Sequence, residues 1–241
     1  MPILAIETAT RQLGVAVMEG DRPLASFELL GDYPHAVELP GAVTRVLKES
    51  GLTLAKIDGI AVDIGPGSFT GLRIGLAFAK ALAFPRKIPL TGVASLDVLA
   101  AGVPFAPGLV CPVLDARQKN VYAALYRGAE DGAPAREGDY LLGPAEEILR
   151  MVKEPAVFVG DGVAAWRERI EALCPEPRFA EPALWTPRAT ILGRLGAARL
   201  ARGEAAQAEQ LVPLYLYPMD CSVRGPARPT SVLPQPVVRA S

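Results

Sequence analysis

Apolar and polar positions follow two different periods along the first hundred residues. The runs ILAIE and GIAVDI predict buried strands, and LGVAVME and RPLASFELL alternate as two strands joined by a turn. Apolar residues at helical spacing predict a helix over about 36–50, and another that follows GPGSFTGLRIG and ends near Phe84. A strand near 89–92 and a helix over 95–101 complete the order β-β-β-α-β-α.

The second half of the chain repeats this order. GLVCPVLD, NVYAALYRG and residues 138–142 predict three strands, and PAEEILRMVK, AVFVG and residues 163–173 predict helix, strand and helix. IETATRQLGVAVMEG and LDARQKNVYAALYRG also share a strand-end acid, an Arg-Gln pair, an alternating strand and a glycine. We therefore predict a duplicated α/β fold, with lobes over 1–103 and 104–220 and an extended tail over 221–241.

Composition limits the functional classes open to this chain. Its 241 residues, half of them hydrophobic, suffice for one large domain or two lobes. A formal net charge of -1 disfavours a stand-alone nucleic-acid binder, which needs a basic surface. Cys111, Cys174 and Cys221 form no CxxC pair, which argues against a disulfide framework or a thiolate metal site. With no signal-peptide pattern and no membrane-length apolar run, we expect a cytoplasmic protein without membrane attachment.

The segment GPGSFTGLRIG joins a predicted strand to a predicted helix. Glycines at such a joint expose backbone N–H groups at the positive end of the helix dipole, so Gly65 and Gly67 are candidate phosphate contacts. Ser68 and Thr70 add hydroxyl groups. The lysine of the GxxxxGK[ST] loop and the GxGxxG spacing are both missing. Because glycine also serves simply to reverse the chain at such joints, a phosphate site and a plain turn remain as alternatives.

The helix after this joint carries small and apolar residues on more than one side. One row allows another backbone to approach closely, and it consists of Gly71, Gly75, Ala79 and Ala83. A second row supplies apolar area, and it consists of Ile74, Phe78 and Leu82. Such a helix is either covered within its own chain or turns one row toward a partner subunit. In the second case the preceding helix joins the surface with Leu39, Val43, Val46 and Leu47.

The sequence contains no complete catalytic set. His35 is the only histidine, which excludes HxxxH and HExxH metal pairs and allows a histidine-activated nucleophile only around this residue. Glu7 and Asp115 end equivalent predicted strands, where they either face one cleft as acid and base or only cap loops. We therefore expect no catalytic residues, no metal and no required cofactor.

Several stretches together resemble a known family. ILAIETAT, His35 at the start of the next helix, GIAVDIGPGSFTGLRIG, GVASLDVLA and VLDARQKNVYAALY look like the bacterial TsaB family, also called YeaZ. The match runs from Met1 to about Tyr126, and GPGSFTGLRIG is its most specific piece. Glu7 departs from the family, which usually has Asp there. The resemblance implies the actin-like, Hsp70-like ATPase (ribonuclease H-like) fold, which is itself a duplicated β-β-β-α-β-α unit.

The resemblance also implies a function and partners. It implies a non-catalytic subunit of the machinery that makes N6-threonylcarbamoyladenosine at position 37 of tRNAs. The implied partners are the homologous catalytic subunit TsaD, which carries a metal-binding histidine pair, and the small ATPase TsaE. TsaB proteins also form homodimers through the first-lobe helices that bind TsaD, and we expect tRNA contact only through the complex.

Two sets of residues are predicted as sites, one for binding a partner subunit and one for binding a nucleotide. The expected partner and dimer interface comprises His35, Leu39, Val43, Val46, Ile74, Phe78 and Leu82. The candidate contacts for weak ATP or ADP binding are Glu7, Thr8, Gly65, Gly67, Ser68, Thr70 and Asp115. The alternative function is a self-sufficient ATP-dependent phosphotransferase or ATPase of the same fold. A glycoprotease-like metalloprotease activity is disfavoured, because the chain has no histidine pair.

Overall fold

The computed structural model describes residues 1–31, 35–103, 108–128, 134–216 and 230–232. These residues form two compact units, each built around one mixed β-sheet. The first unit contains Met1–Val98 and Pro187–Leu214, and the second contains Leu99–Thr186 and the described part of Tyr215–Gln235. Within the described ranges, no helix combines the length and the apolar character that crossing a membrane requires.

Eleven strands and six α-helices are found in the described residues. In chain order they are β1 (Pro2–Glu7), β2 (Gln12–Glu19), β3 (Arg22–Leu30), α1 (His35–Glu49), β4 (Gly59–Asp63), α2 (Phe69–Ala83), β5 (Leu90–Val93), α3 (Ser95–Ala101), β6 (Leu109–Asp115), β7 (Asn120–Arg127), β8 (Ala135–Pro144), α4 (Ala145–Leu149), β9 (Ala156–Val159), α5 (Gly162–Leu173), β10 (Arg178–Phe179), α6 (Ala189–Ala201) and β11 (Thr230–Val232). Short 3-10 turns lie at Leu54–Lys56, Phe84–Arg86 and Pro182–Leu184.

Both sheets repeat one arrangement. The strand order is β3-β2-β1-β4-β5 in the first unit and β10-β9-β6-β7-β8-β11 in the second. In each unit an antiparallel meander of three strands is extended by parallel strands beside its first strand, which is β1 or β6. The duplicated β-β-β-α-β-α order predicted from the sequence is confirmed.

The two Arg-Gln pairs, in contrast, do not occupy equivalent positions. Glu7 pairs with Gly14 across β1 and β2, whereas Asp115 pairs with Val121 across β6 and β7, so the second connection is one residue shorter. Gln12 is a buried residue of β2, whereas Gln118 is exposed in the turn with a φ of 50°. The two units therefore share their topology, but the two Arg-Gln pairs are not equivalent residues of a repeated sequence.

The sheet of the first unit is covered on both faces. Because side chains alternate along a strand, Leu4 and Ile6 pack toward α1 and α2, and Ile3 and Ala5 pack toward α6. Glycines let α6 lie close to the sheet, since a Cβ at Gly196 would overlap the side chain of Ala61. Burial on both faces explains why β1 and β4 are apolar throughout.

The predicted lobe boundaries require a correction at α6. The alanine-rich pattern predicts a helix over 189–202, and the structure has α6 there, but residues 187–214 belong to the first unit and not to a lobe over 104–220. The physical reason is the contact surface of α6, whose Ala189 and Leu192 complete the core above β1 and β2. The first boundary falls between Val98 and Leu99, a few residues before the predicted one.

The second unit buries one face of its sheet beneath α4 and α5. Cys111, Phe158 and Ile170 are central members of this core. At the other end of the sheet, β11 pairs antiparallel with β8, with Thr230 opposite Leu142. This strand is the described part of the segment predicted as an extended tail, and the rest of 221–241 lies outside the described residues.

Candidate functional site

The joint between β4 and α2 bonds to the chain's own backbone. Ser68 is the N-cap of α2: its Oγ accepts a hydrogen bond from Gly71 N at 3.2 Å, and its N–H donates to Ala9 O at 2.6 Å. Gly65 has a φ of 99°, which favours glycine at this turn. These contacts make the joint a reversal of the chain that holds the β1–β2 loop.

Glycines of the joint and of α2 make room for the same loop. A Cβ at Gly67 would overlap Ala9 O, and one at Gly71 would overlap Thr8 O. At Gly75 a Cβ would overlap Thr8 Oγ1, which donates a hydrogen bond to Gly71 O at 2.9 Å. The row of small residues at four-residue spacing therefore faces the interior of its own unit, and only the other row of α2 is left to face a partner.

Two acids end the central parallel strands beneath this joint. Glu7 and Asp63 are both fully buried. Glu7 Oε1 accepts from Ala9 N at 2.7 Å, while Asp63 Oδ1 accepts from Gly65 N at 2.6 Å and from the Ser95 hydroxyl at 2.7 Å. Burial, followed by the charge of Asp63, raises the pKa of Glu7 well above its usual range. Burial also raises the pKa of Asp63, although its hydrogen bonds oppose the shift.

Asp63 is a site residue that the sequence analysis missed. Its signal is present in the sequence, because the apolar run GIAVD ends in a carboxylate as ILAIE does. Parallel neighbours carry their carboxyl ends to the same sheet edge, and the register that pairs Ile6 with Val62 puts these two strand-end acids at matching positions. The apolar pattern of the two strands does not show that β1 and β4 are neighbours, so it does not bring Glu7 and Asp63 together.

The outer surface of the first unit is formed in part by α1 and α2, which pack side by side. Leu39, Val43 and Val46 do not belong to this surface, because they are only 0%, 5% and 0% exposed. Their assignment to a partner interface is therefore wrong: they fill the core between α1 and the sheet. His35 is half-buried, and its Nε2 lies 3.0 Å from Thr10 O.

Other residues of the two helices reach the outside, and we call them the α1–α2 surface. They are Val37, Pro40, Gly41 and Thr44 of α1 and Ile74, Ala77, Phe78, Ala81 and Leu82 of α2. Val37 is 69% exposed, whereas Ile74, Phe78 and Leu82 are half-buried at the margin of the core. The predicted apolar row of α2 thus remains partly accessible, and α1 contributes a different set of residues from the predicted one.

The corresponding strand end of the second unit is open to solvent. Asp115 is exposed, its Oδ1 accepts from Arg117 N at 2.9 Å, and its own N–H donates to Asp161 Oδ1 at 3.0 Å. Arg117, Gln118 and Lys119 continue as a turn with φ values of 63°, 50° and 65°. Partial desolvation of its carboxyl group raises the pKa of Asp161, and the hydrogen bond from Asp115 N opposes this shift.

Comparison with known proteins identifies the family. The family model described as "TsaD: tRNA N6-adenosine threonylcarbamoyltransferase" matches residues 32–220. The chain is 34% identical over 221 residues to the tRNA threonylcarbamoyladenosine biosynthesis protein TsaB of Bacillus subtilis, an alignment that covers 90% of this chain and 94% of that protein. The chain belongs to the TsaB (YeaZ) family.

Solved structures agree with this assignment. YeaZ from Pseudomonas aeruginosa superposes with a TM-score of 0.78 at 31% sequence identity. The superposition covers 89% of this chain and 99% of that chain. The ROK hexokinase of Thermus thermophilus superposes with a TM-score of 0.51 at 12% identity over 84% of this chain and 100% of that one, which shows the fold alone. The actin-like (ribonuclease H-like) fold that the resemblance implied is confirmed.

In this TsaB-family chain several candidate nucleotide contacts of the first unit are enclosed within that unit. Glu7 and Thr8 are completely buried, and the joint glycines hold the chain's own loop. The exposed candidates are Ser68, Thr70 and Asp115. Nucleotide binding itself stays a prediction. Among the described residues, histidine, cysteine and acidic side chains form no group of three that could hold a metal ion.

Proposed function

We propose that this chain is a non-catalytic subunit of the machinery that makes threonylcarbamoyladenosine in tRNA. In this proposal it binds a TsaD-type threonylcarbamoyltransferase, a TsaE-type ATPase completes the complex, and tRNA is reached only through that complex. Membership of the TsaB family supports the pathway, because the full-length relative is named as a biosynthesis protein of this modified nucleoside. The single histidine of the chain supports a role that does not include chemistry.

The observation that carries the binding role is the α1–α2 surface. Gly41, Ala77 and Ala81 are exposed and small, so another helix pair can approach closely, and Ile74 and Phe78 add partly accessible apolar area beside them. A homologous subunit offers the equivalent helices, and a second copy of this chain offers the same ones. The same surface therefore serves for TsaD and, in the absence of TsaD, for a homodimer.

The enclosed acid argues against the enzymatic alternative. A self-sufficient ATPase or phosphotransferase needs a strand-end carboxylate that reaches its substrate, but Glu7 is fully buried and bonds to Ala9 N. Thr8 is equally enclosed and bonds to Gly71 O. These two residues shape the loop from within, so the chemistry of the complex falls to the partner.

One substitution on the proposed surface tests the binding role. Ala77→Arg places a long charged side chain on the exposed side of α2, and we expect affinity for a TsaD-type protein to fall at least tenfold in isothermal titration calorimetry. The homodimer should dissociate in analytical ultracentrifugation, while the circular dichroism spectrum stays unchanged. Ala165→Arg is the matched control, because Ala165 is an exposed alanine of α5 in the second unit. Equal affinity of the two variants would remove the surface from the proposal.

A second experiment addresses catalysis. Asp115→Ala should leave tRNA modification by the reconstituted complex within a modest factor of the wild-type rate, because the acid has no chemical role in this proposal. The isolated chain should not turn over ATP in the presence of Mg²⁺. Micromolar ATP binding with turnover by the isolated chain, or loss of the chemical step with the complex intact, would assign the chemistry to this subunit.

A further inference from the structure

The Glu7–Asp63 pair carries an inference that does not depend on the proposed function. Each carboxyl group uses one oxygen to bind backbone, with Glu7 Oε1 accepting from Ala9 N and Asp63 Oδ1 from Gly65 N. The other oxygens, Glu7 Oε2 and Asp63 Oδ2, are buried and accept no hydrogen bond from an N–H or hydroxyl group of the described residues. A buried oxygen atom that accepts no hydrogen bond lowers the stability of the folded state. A proton on one carboxyl group could satisfy both oxygens.

The strand register brings the two side chains together. Ile6 pairs with Val62 across β1 and β4, so the next position along each strand, Glu7 and Asp63, points to the same face of the sheet. The charge of Asp63 acts directly on Glu7, so the two carboxyl groups lie close to each other. Two carboxylates have no proton with which to bond each other, whereas a carboxylic acid can donate a hydrogen bond to a carboxylate. The strongly raised pKa of Glu7, due first to burial, agrees with Glu7 as the protonated member.

We propose that Glu7 and Asp63 share one proton, and that this proton ties the end of β1 to the end of β4. The pair also anchors three further segments: the β1–β2 loop through Ala9 N, the joint through Gly65 N and the start of α3 through the Ser95 hydroxyl. Losing the proton as pH rises leaves two buried negative charges side by side, which repel each other and loosen these segments. The pair is thus a pH-sensitive fastening inside the first unit.

Charged groups on neighbouring elements interact with the pair or with each other near it. They are Glu28 on β3, Arg188 before α6, Asp97 on α3 and Arg199 on α6. The charge of Glu28 acts on Glu7 and that of Asp97 acts on Asp63, and both disfavour ionisation of the pair. Each of these acids has an arginine of its own, because Arg188 lies near Glu28 and Arg199 bonds Asp97 at 2.7 Å. The charges of Glu28 and Asp97 favour retention of the shared proton, and their arginine partners weaken this effect.

Amide variants of the full chain test the proposal. In Glu7→Gln the new NH₂ group can donate to Asp63 while the amide oxygen still accepts from Ala9 N. In Asp63→Asn the NH₂ group can donate to Glu7 while the amide oxygen keeps the bonds from Gly65 N and the Ser95 hydroxyl. Each single variant replaces the shared proton by one that does not titrate, whereas the double variant sets two NH₂ groups against each other.

Thermal unfolding measured against pH gives the expected sign. The unfolded chain loses the Glu7 proton near its ordinary pKa of 4.5, and the folded chain keeps it to a much higher pH. The stabilisation from this proton is complete below that value and is lost as pH rises through the raised folded pKa. Relative to either single amide variant, the Tm of the wild type should therefore fall with rising pH, by about 4 °C per pH unit.

Two controls isolate the proton from the change in charge. Glu49→Gln removes an exposed acid of α1, and its Tm should run parallel to the wild type at every pH. Across the pH range in which the Tm of the wild type falls relative to Glu7→Gln, the infrared spectrum of the wild type should show the carbonyl stretch of a protonated carboxyl group, and that of Glu7→Gln should lack it. At one pH above that range, hydrogen exchange over 61–76 should be faster in the wild type than in Glu7→Gln.

Three results would overturn the proposal. The first is parallel Tm curves for the wild type and Glu7→Gln across the pH range. The second is a double variant as stable as either single variant. The third is failure of both single amide variants to fold at any pH, because the proposal requires each amide to take the place of the proton.

Discussion

The ends of β1 and β6 are equivalent positions of a duplicated unit, yet their acids occupy opposite environments. At β1, Glu7 is fully buried against the equally buried Asp63. At β6, Asp115 is exposed beside the exposed Asp161, and both carboxylates accept hydrogen bonds from backbone N–H groups. The same strand-end acid is thus a core group in one unit and a surface group in the other.

The difference teaches that the cover over a strand end, and not the strand position, sets the chemistry of its acid. In the first unit α2 lies directly on the β1–β2 loop, since Gly67 and Gly71 admit its backbone. In the second unit the β6–β7 turn presents Arg117 and Lys119 to solvent. Solvent stabilises an ionised acid, whereas a dry interior favours a protonated one.

The largest expected effect comes from replacing each of the two equivalent strand-end acids, Glu7 and Asp115, by alanine. Glu7→Ala leaves Asp63 buried without its partner and also leaves a cavity, so we expect a loss of about 3–4 kcal/mol in the free energy of unfolding. Asp115→Ala removes an exposed cap of Arg117 N and should cost less than about 1 kcal/mol. Urea unfolding followed by circular dichroism measures both. Similar losses at the two positions would erase the contrast between the strand ends.

A substitution in α2 tests whether close cover is what encloses the first acid. Gly71→Ala drives a methyl group into Thr8 O, and we expect a loss of about 2–3 kcal/mol from the forced movement of the loop. Gly41→Ala is the matched control, because a Cβ at Gly41 meets nothing within 4 Å and an alanine there should add about 0.5–1 kcal/mol of helix stability. If both variants gained stability, α2 would not be pressed against the loop.

The smallest effect concerns the open strand end. The folded pKa of Asp161 is raised, so stability linked to its proton is present below its ordinary pKa of 3.8 and lost as pH rises through the folded value. Asp161→Asn keeps an acceptor for Asp115 N and removes this loss, so it should be slightly more stable than the wild type at neutral pH and equal to it in strong acid. Because Asp161 is solvent-exposed, we expect only a few tenths of a kcal/mol. Thermal unfolding at the two pH values would show a destabilised variant if the acid instead acts as a favourable charge at the start of α5.

Much of the fold was predictable because its signals are local. Alternation in LGVAVME, the continuous apolar runs at β1 and β4, and the helical spacing of α1 and α2 each identify an element without knowledge of its neighbours. The unit to which α6 belongs was not predictable in this way. Its place depends on a distant contact with β1 and β2, and a helix pattern states which face is apolar but not what covers that face.

The site was predicted less well for the same reason. Spacing grouped Leu39, Val43 and Val46 on one face of α1, which is correct, but it did not say whether that face meets the sheet or a partner. The environment of Glu7 depends on Asp63 and on the loop enclosed by α2, and these contacts are long-range. Periodicity gives the faces of an element, whereas burial and protonation require the tertiary structure.

The return of α6 to the first unit also fixes an order of events during synthesis. The ribosome completes all five strands of the first sheet early, but the helix that covers Ile3 and Ala5 follows only after β6 to β10. Until then one face of a finished sheet stays open, so the part of the protein made first is the part completed late. A chain terminated before Pro187 should therefore be an aggregation-prone fragment, not a smaller folded protein.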